Sequence, residues 1–305
     1  MKSEKIVIGK EYPLNGLLTL PDNTEEKVPA VVLVHGSGAS NMDEKVMKLT
    51  PFKDLAEGLA EKGIASVRYD KRTYAHGMKM VKQKDMTVKE ETIEDAIMAA
   101  DMLRNDERID HERIYIIGHS MGAMLAPRID AEGGNFRGLI LMAGTPLKLE
   151  DIVLRQLKQA GKSNSLMKWI VNLEYKIFAR KFDGLYEMSD AEAVRKKYAG
   201  NVSLYYFKEM GLKTADQYLL ENNKPALIMQ GGMDFQVLAD EDFRKFKEVL
   251  ADRENTEYRF YPELNHCFVK GIYNDILKAS KEYSVEQHIP EEVIRDIADF
   301  INKNR

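Results

Sequence analysis

Three features of the sequence predict an α/β fold built on one mainly parallel sheet. Apolar runs typical of strands alternate with amphipathic runs typical of helices, a pattern that favours parallel strands joined by right-handed crossovers. The run 30–34 is apolar throughout and is bounded by Pro29 and Gly36, as expected of a strand buried on both faces. Eight strand candidates can be counted, and no internal repeat or low-complexity tract is visible.

The elements follow from local signals. The predicted strands are 5–8, 16–20, 30–34, 64–69, 113–118, 139–142, 226–229 and 258–261, with a turn at 13–16 between the first two. A helix over 52–62 ends at Gly63, and Thr87 and Glu90 have capping-box spacing before a second helix. That helix has an apolar face made of Ile93, Ala96, Ile97, Ala100 and Leu103. Further helices are predicted from 121 to about 131, from about 240 to 250 and from about 291 to 302.

One long segment breaks the alternation between the sixth and seventh strands. Residues 146–223 are charged, rich in Lys, Leu, Tyr and Met, and helical in pattern. We therefore predict a core domain formed by 1–145 and 224–305, with 146–223 inserted as a mostly helical cap. The aromatic residues of this segment either pack in the core of the cap or line a pocket; they are Trp169, Phe178, Phe182, Tyr205, Tyr206 and Phe207.

Composition excludes several classes of protein. The 305 residues are 44% apolar and 31% charged, with a net charge of −4 and no basic stripe, so no nucleic-acid partner is expected. No run has the length of a membrane span, and the first residues lack the apolar core of a signal peptide, so we predict a cytoplasmic protein without a membrane partner. The single cysteine, Cys267, excludes an intrachain disulfide. No metal-ligand spacing and no dinucleotide fingerprint is present, so neither a metal nor a cofactor is expected.

The most informative motif is Gly118-His119-Ser120-Met121-Gly122. This G-x-S-x-G pattern follows the apolar run 114–117 and opens a helix-like stretch, as in a nucleophile elbow. The strand and helix of such an elbow pass so close that side chains at the two glycine positions would collide. A turn serine in a glycine-rich junction is the alternative, and the flanking strand and helix favour the elbow.

Together with three other motifs, the elbow resembles the α/β-hydrolase superfamily, and in particular its carboxylesterase-like members with a cap after the sixth strand. The other motifs are His35-Gly36-Ser37-Gly38, Gly231-Gly232-Met233-Asp234 and Leu264-Asn265-His266. The resemblance covers roughly residues 5–303, although the cap matches no pattern. It implies an eight-stranded sheet flanked by helices.

The resemblance also implies a catalytic triad in the order nucleophile, acid, base. Ser120 is the expected nucleophile, and His266 is the expected base because it follows the last strand. Asp234 comes shortly after the seventh strand, where the family has the acid that orients the imidazole. The competing base is His288, although a surface or helix-capping role suits it better. Asp240 and Glu241 are the alternatives for the acid.

Two backbone N–H groups should stabilise the oxyanion of the transition state. The family pattern implies the N–H of Met121, directly after the nucleophile, and the N–H of Ser37, directly after His-Gly. An ordinary glycine-rich turn is the alternative interpretation of the 35–38 loop.

The predicted function is hydrolysis of carboxylic esters of short or aryl acyl groups through an acyl-enzyme. The same triad would serve a thioesterase, an acyl-peptide hydrolase or an acyltransferase, and a non-catalytic small-molecule binding protein is a remote alternative. The expected partner is a small-molecule ester, and a homodimer is possible.

Overall fold

The computed structural model describes residues 1–22, 26–80, 82–161 and 168–304. Eight strands form one sheet in the order β1-β2-β4-β3-β5-β6-β9-β10. These strands are Lys2–Ile8 (β1), Leu14–Leu20 (β2), Val28–Val34 (β3), Ala65–Tyr69 (β4), Ile109–His119 (β5), Leu139–Met142 (β6), Ala226–Gly231 (β9) and Thr256–Tyr261 (β10). Within this sheet, β2 pairs antiparallel with β1 and β4, and the other described pairings are parallel. The predicted eight-stranded, mostly parallel sheet is confirmed.

Helices cover both faces of the sheet. They are Pro51–Glu61 (α1), Arg72–Ala75 (α2), Gly77–Met80 (α3), Glu94–Arg104 (α4), Met121–Ile129 (α5), Leu149–Ala160 (α6), Lys168–Phe182 (α7), Asp190–Arg195 (α8), Leu204–Met210 (α9), Ala215–Leu220 (α10), Arg244–Val249 (α11), Ala279–Tyr283 (α12) and Glu291–Lys303 (α13). Because side chains alternate along a strand, β3 supplies Val32 and Val34 to the core beneath α4 and α5, and Val31 and Leu33 to the core beneath α1 and α13.

The helices begin and end close to the predicted residues, with small shifts at their ends. Gly63, at a φ of 80°, follows the end of α1. The Glu90 carboxylate accepts a hydrogen bond of 2.8 Å from the Thr87 N–H, and one wide turn, Lys89–Ile93, precedes α4. Similar wide turns, Asp130–Gly134 and Ala239–Phe243, follow α5 and precede α11.

The predicted turn at 13–16 is wrong, because β2 already begins at Leu14. Gly16 lies within this strand, where a Cβ would come 2.6 Å from the carbonyl oxygen of Arg68 on β4. The glycine therefore permits close strand approach, and the chain turns earlier, with Gly9 at a φ of 76°.

The segment between β6 and β9 holds helices α6 to α10 and a two-stranded hairpin, Lys197–Ala199 (β7) and Val202–Ser203 (β8). Within the predicted cap, residues 162–167 lie outside the described residues. Its aromatic side chains divide between two roles: Phe178 and Phe182 pack on Tyr198, whereas Trp169 is 68% exposed. Of the helices described, none combines the length and apolar character that crossing a membrane requires.

Candidate active site

The turn from β5 into α5 holds Ser120 in a strained backbone conformation. Its φ is 55° and its ψ is −118°, a region that is costly for a residue with a side chain. A Cβ on Gly118 would lie 2.2 Å from the Gly122 carbonyl oxygen, and one on Gly122 would lie 2.1 Å from the carbonyl oxygen of Val34. Both glycines are therefore required by close backbone approach, as a nucleophile elbow demands.

A buried carboxylate orients His266. The Nδ1 of His266 lies 2.8 Å from Oδ2 of Asp234, and both side chains are almost completely buried. Three more donors fix the carboxylate: the N–H groups of Gln236 and Val237 at Oδ1, and the Gln230 amide at Oδ2. With Nδ1 held in this way, Nε2 is the imidazole nitrogen left to act as a base.

Within the described residues, no hydrogen bond joins the Ser120 hydroxyl to His266. In ligand-free enzymes such a bond is often long and tightens only when substrate is present. The structure therefore brings Asp234 and His266 into direct contact and places Ser120 in the elbow.

The competing residues lie elsewhere. His288 is on the surface with its side chain 73% exposed, and its Nδ1 lies 3.0 Å from Asp54 on α1. This contact raises the pKa of His288. Asp240 is exposed, and Glu241 pairs with Arg155 at 3.0 Å, so neither carboxylate contacts His266.

The loop after β3 passes close to the nucleophile. A Cβ on Gly36 would lie 3.1 Å from the Cβ of Ser120, so this glycine allows the loop to approach the elbow. The N–H of the next residue, Ser37, donates no hydrogen bond within the described residues. Met121 is the first residue of α5, where the N–H has no partner inside the helix. Among the described residues, neither predicted oxyanion donor therefore has a hydrogen-bond acceptor.

Sequence reasoning missed a buried ion pair that joins these loops. The Glu44 carboxylate accepts a hydrogen bond of 2.7 Å from the Gly36 N–H, and its second oxygen lies 2.9 Å from Nδ1 of His119. His119 in turn donates through Nε2 to the carbonyl oxygen of His266, at 2.8 Å. One carboxylate thus connects the loop after β3, the elbow and the loop that carries His266. The only sequence signal was an acidic residue shortly after a glycine-rich loop.

The environment sets the charges of these groups. Burial lowers the pKa of His119, but the Glu44 carboxylate more than offsets this effect, so the pKa is raised overall. Burial alone would raise the pKa of Glu44, but the charge and hydrogen bond of the facing His119 together have the larger effect, so the pKa of Glu44 is lowered overall. For His35 the burial effect dominates and lowers the pKa to about 4, so this ring is neutral near pH 7 and donates through Nε2 to the Tyr69 carbonyl oxygen at 2.6 Å.

A cavity of about 420 Å³ opens at Ser120, within the range of small-molecule sites. Its floor includes Ser37, Ser120 and Met121. The segment between β6 and β9 contributes the mainly apolar opposite wall, which includes Leu149, Ile152, Val153, Val202, Tyr206 and Phe207. Of the aromatic residues considered for a pocket, Tyr206 and Phe207 therefore line it. Among the described residues, no group of three or more His, Cys, Asp or Glu side chains is arranged to hold a metal ion.

The sheet order, the strained serine after β5 and the polar loops at the same edge of the sheet define an α/β hydrolase with a serine at its elbow. Comparison with known proteins agrees. Residues 25–270 match the family described as "Serine aminopeptidase, S33", and the chain belongs to this family. The predicted membership of the α/β-hydrolase superfamily is thereby confirmed.

Individual relatives give a narrower comparison. The chain is 32% identical over 300 residues to Esterase EstD of Thermotoga maritima, an alignment that covers 96% of this chain and 67% of the relative. The fold is similar to that of Est1E from Butyrivibrio proteoclasticus, with a TM-score of 0.58, 16% identity and 98% of both chains covered. It is also similar to a Pyrococcus furiosus esterase, Pf2001, with a TM-score of 0.58, 16% identity and coverage of 99% and 91%.

Proposed function

We propose that the protein is a serine hydrolase that cleaves carboxylic esters. The observation that carries the proposal is the strained Ser120 at the floor of a cavity, at the sheet edge that also carries the Asp234–His266 pair. The similarity to Esterase EstD supports an ester as the substrate.

In the proposed mechanism, His266 accepts the hydroxyl proton through Nε2 while Ser120 Oγ attacks the ester carbonyl carbon. Asp234 stabilises the imidazolium that forms. The N–H groups of Ser37 and Met121 donate to the oxyanion of the tetrahedral intermediate. The imidazolium then gives its proton to the leaving alcohol, and an acyl-enzyme remains. Water, activated by the same imidazole, attacks the acyl carbon and releases the acid and Ser120.

The cavity supports a short or aryl acyl group. Its volume of about 420 Å³ is at the lower end of ligand sites, and apolar side chains dominate the wall opposite Ser120. One solved structure of Est1E, 17% identical to this chain with a TM-score of 0.59, has ferulic acid bound. This similarity supports an aryl acyl group as a ligand of the cavity in this chain.

A fluorophosphonate probe tests the mechanism directly. The folded wild type should be labelled and should hydrolyse p-nitrophenyl acetate and butyrate, whereas Ser120→Ala should lose both properties because no nucleophile remains. Failure of the native wild type to react, or equal labelling of Ser120→Ala, would show that the proposal is wrong.

A panel of p-nitrophenyl esters of increasing chain length, together with hydroxycinnamate esters, tests the proposed class of acyl group. A preference for long acyl chains would contradict the proposal of a short or aryl acyl group.

Amide hydrolysis is the second candidate, favoured by the description of the matched family as a serine aminopeptidase. The same triad would attack an amide carbonyl. Amino-acyl p-nitroanilides and p-nitrophenyl esters with the same acyl group separate the two activities. A kcat/KM for the anilide that equals or exceeds that for the ester would favour the peptidase.

A further inference from the structure

Lys71 and Glu91 form a buried ion pair that the proposed chemistry does not use. The Nζ of Lys71 lies 2.9 Å from Oε1 of Glu91, and the two side chains are only 2% and 7% exposed. Removing two charges from water is costly unless additional hydrogen bonds satisfy them. The additional partners of this pair are therefore informative.

Lys71 holds the loop after β3 at two points. Its Nζ donates a hydrogen bond of 2.8 Å to the carbonyl oxygen of Gly36, and its backbone N–H donates one of 3.0 Å to the carbonyl oxygen of Ser40. The preceding residue, Asp70, accepts a hydrogen bond of 2.9 Å from the Met42 N–H. The end of β4 therefore fixes the path of residues 36–42.

The contact with Gly36 has a direct consequence for Ser37. The Gly36 carbonyl and the Ser37 N–H belong to one planar trans peptide, so they point in opposite directions. A cation bound to the carbonyl therefore fixes the direction of the N–H on the other side. Rotation of this peptide would break the bond to Lys71 and leave a buried ammonium without one of its acceptors.

Glu91 extends the connection to the wall of the cavity. Its second oxygen accepts a hydrogen bond from the hydroxyl of Tyr206 on α9, and both residues line the cavity. Burial raises the pKa of Tyr206 well above its usual value, so the hydroxyl remains protonated and donates to the carboxylate. Three side chains thus form a continuous path from the inserted segment to the Gly36 carbonyl.

We propose that Lys71 is a positioning residue of the oxyanion hole, held by Glu91 and, through Glu91, by Tyr206. It keeps the Ser37 N–H directed at the developing oxyanion without touching the substrate. The inference rests on the proposed function, because it assigns a role in the same hydrolysis. A substrate group packed on Tyr206 is consequently in contact with the residues that hold an oxyanion donor.

The test compares Lys71→Met/Glu91→Gln with the wild type. This double variant lacks the Nζ donor and leaves no buried charge without a partner, whereas Glu91→Gln alone would leave the Lys71 ammonium without its carboxylate. Loss of one oxyanion donor costs about 10²–10³-fold in rate. We expect kcat for p-nitrophenyl acetate to be about 10²-fold lower in the double variant than in the wild type, with KM within about threefold.

A neighbouring ion pair provides the matched control. Arg72 and Asp95 are also buried and lie 2.5 Å apart, but in the part of the chain that the structure describes their polar contacts do not reach residues 36–37. Arg72→Met/Asp95→Asn should lower Tm and leave kcat within about threefold of wild type. A kcat loss in this control as large as in Lys71→Met/Glu91→Gln would overturn the inference. So would a Lys71→Met/Glu91→Gln variant whose kcat matches that of the wild type, or whose loss lies wholly in KM.

Tyr206→Phe keeps the inference testable if the Lys71 variant does not fold. Removing only the hydroxyl should lower kcat by about three- to tenfold, since Glu91 loses one of its two partners. An unchanged kcat would then contradict the inference. Failure of the proposed function has a different signature, because the wild type itself would neither hydrolyse esters nor react with fluorophosphonate.

Discussion

The two walls of the cavity are held in different ways. The first wall carries Ser120, and the Asp234–His266 pair adjoins it and is considered with it. Two glycines leave no room for a Cβ at the elbow, and the Asp234 carboxylate is fixed by four hydrogen bonds that it accepts. The opposite wall belongs to the segment between β6 and β9, and it depends on the packing of side chains. Phe207, for example, packs against the rings of Phe182 and Tyr198 at centroid distances of 4.9 and 4.6 Å.

Polar contacts also connect the second wall to the rest of the molecule. Among the described residues, they include the hydrogen bond of Tyr206 to Glu91, the ion pair of Arg155 with Asp242 at 2.6 Å and the ion pair of Glu209 with Arg128. Side-chain packing tolerates volume-conserving changes, whereas a backbone fixed by close contacts does not. The difference suggests that the first wall determines which reaction occurs and the second determines which acyl group is accepted.

The largest loss of activity is expected from a substitution of the proposed base beside the first wall. His266→Ala removes the proposed base, and kcat/KM for p-nitrophenyl acetate should fall by about 10⁴-fold or more. His288→Ala is the matched control, because this histidine also contacts an aspartate but lies on the surface. It should retain activity within about twofold of wild type. Similar losses in both variants would show that His266 has no special role.

A smaller and more selective effect is expected on the second wall. Val153 lies in α6 and lines the cavity, so Val153→Phe should reduce the space for an acyl chain. We expect kcat/KM for the butyrate ester to fall about tenfold while that for acetate changes little, since a methylene or two in a pocket is worth a factor of this size. Leu173→Phe, at a 51% exposed position on α7, should change neither. Equal losses for both esters would mean that Val153 does not select the acyl group.

The first wall was largely predictable because its constraints are local. The elbow needs two glycines and a serine within five residues. Asp234 and His266 come shortly after strands whose apolar runs are evident, and the family order of nucleophile, acid and base was needed to predict their roles. The eight strands were predictable for the same reason. The exception was Gly16, whose role depends on a strand more than 50 residues away, so it was mistaken for a turn residue.

The second wall and the partners of the buried charges were not predictable from local pattern. Tyr206 and Glu91 are 115 residues apart, and their contact depends on how the inserted segment packs on the sheet. Trp169 and Tyr206 look equally suited to a pocket in the sequence, yet one is exposed and the other lines the cavity. Glu44 lies in a loop without periodicity, so nothing local indicated its two partners. The division into core 1–145 and 224–305 with cap 146–223 stays a prediction.

The smallest expected effect is the pH dependence of the stability that the buried Glu44–His119 pair gives to the first wall. The pKa of His119 is raised above 6.5 in the folded protein, so its stabilisation is complete below pH 6.5 and is lost as pH rises through the folded value. The pKa of Glu44 is lowered below 4.5, so its stabilisation is complete above pH 4.5 and is lost as pH falls through the folded value. Relative to Glu44→Gln/His119→Asn, the wild type should therefore be most stable between pH 4.5 and 6.5, and its advantage should shrink at higher pH. We expect the difference in Tm to change by about 2 °C, as roughly 1 kcal/mol would produce. His111→Asn, at an exposed histidine, should show no such trend; a pH-independent difference for the buried pair would mean that His119 and Glu44 do not stabilise each other's charge.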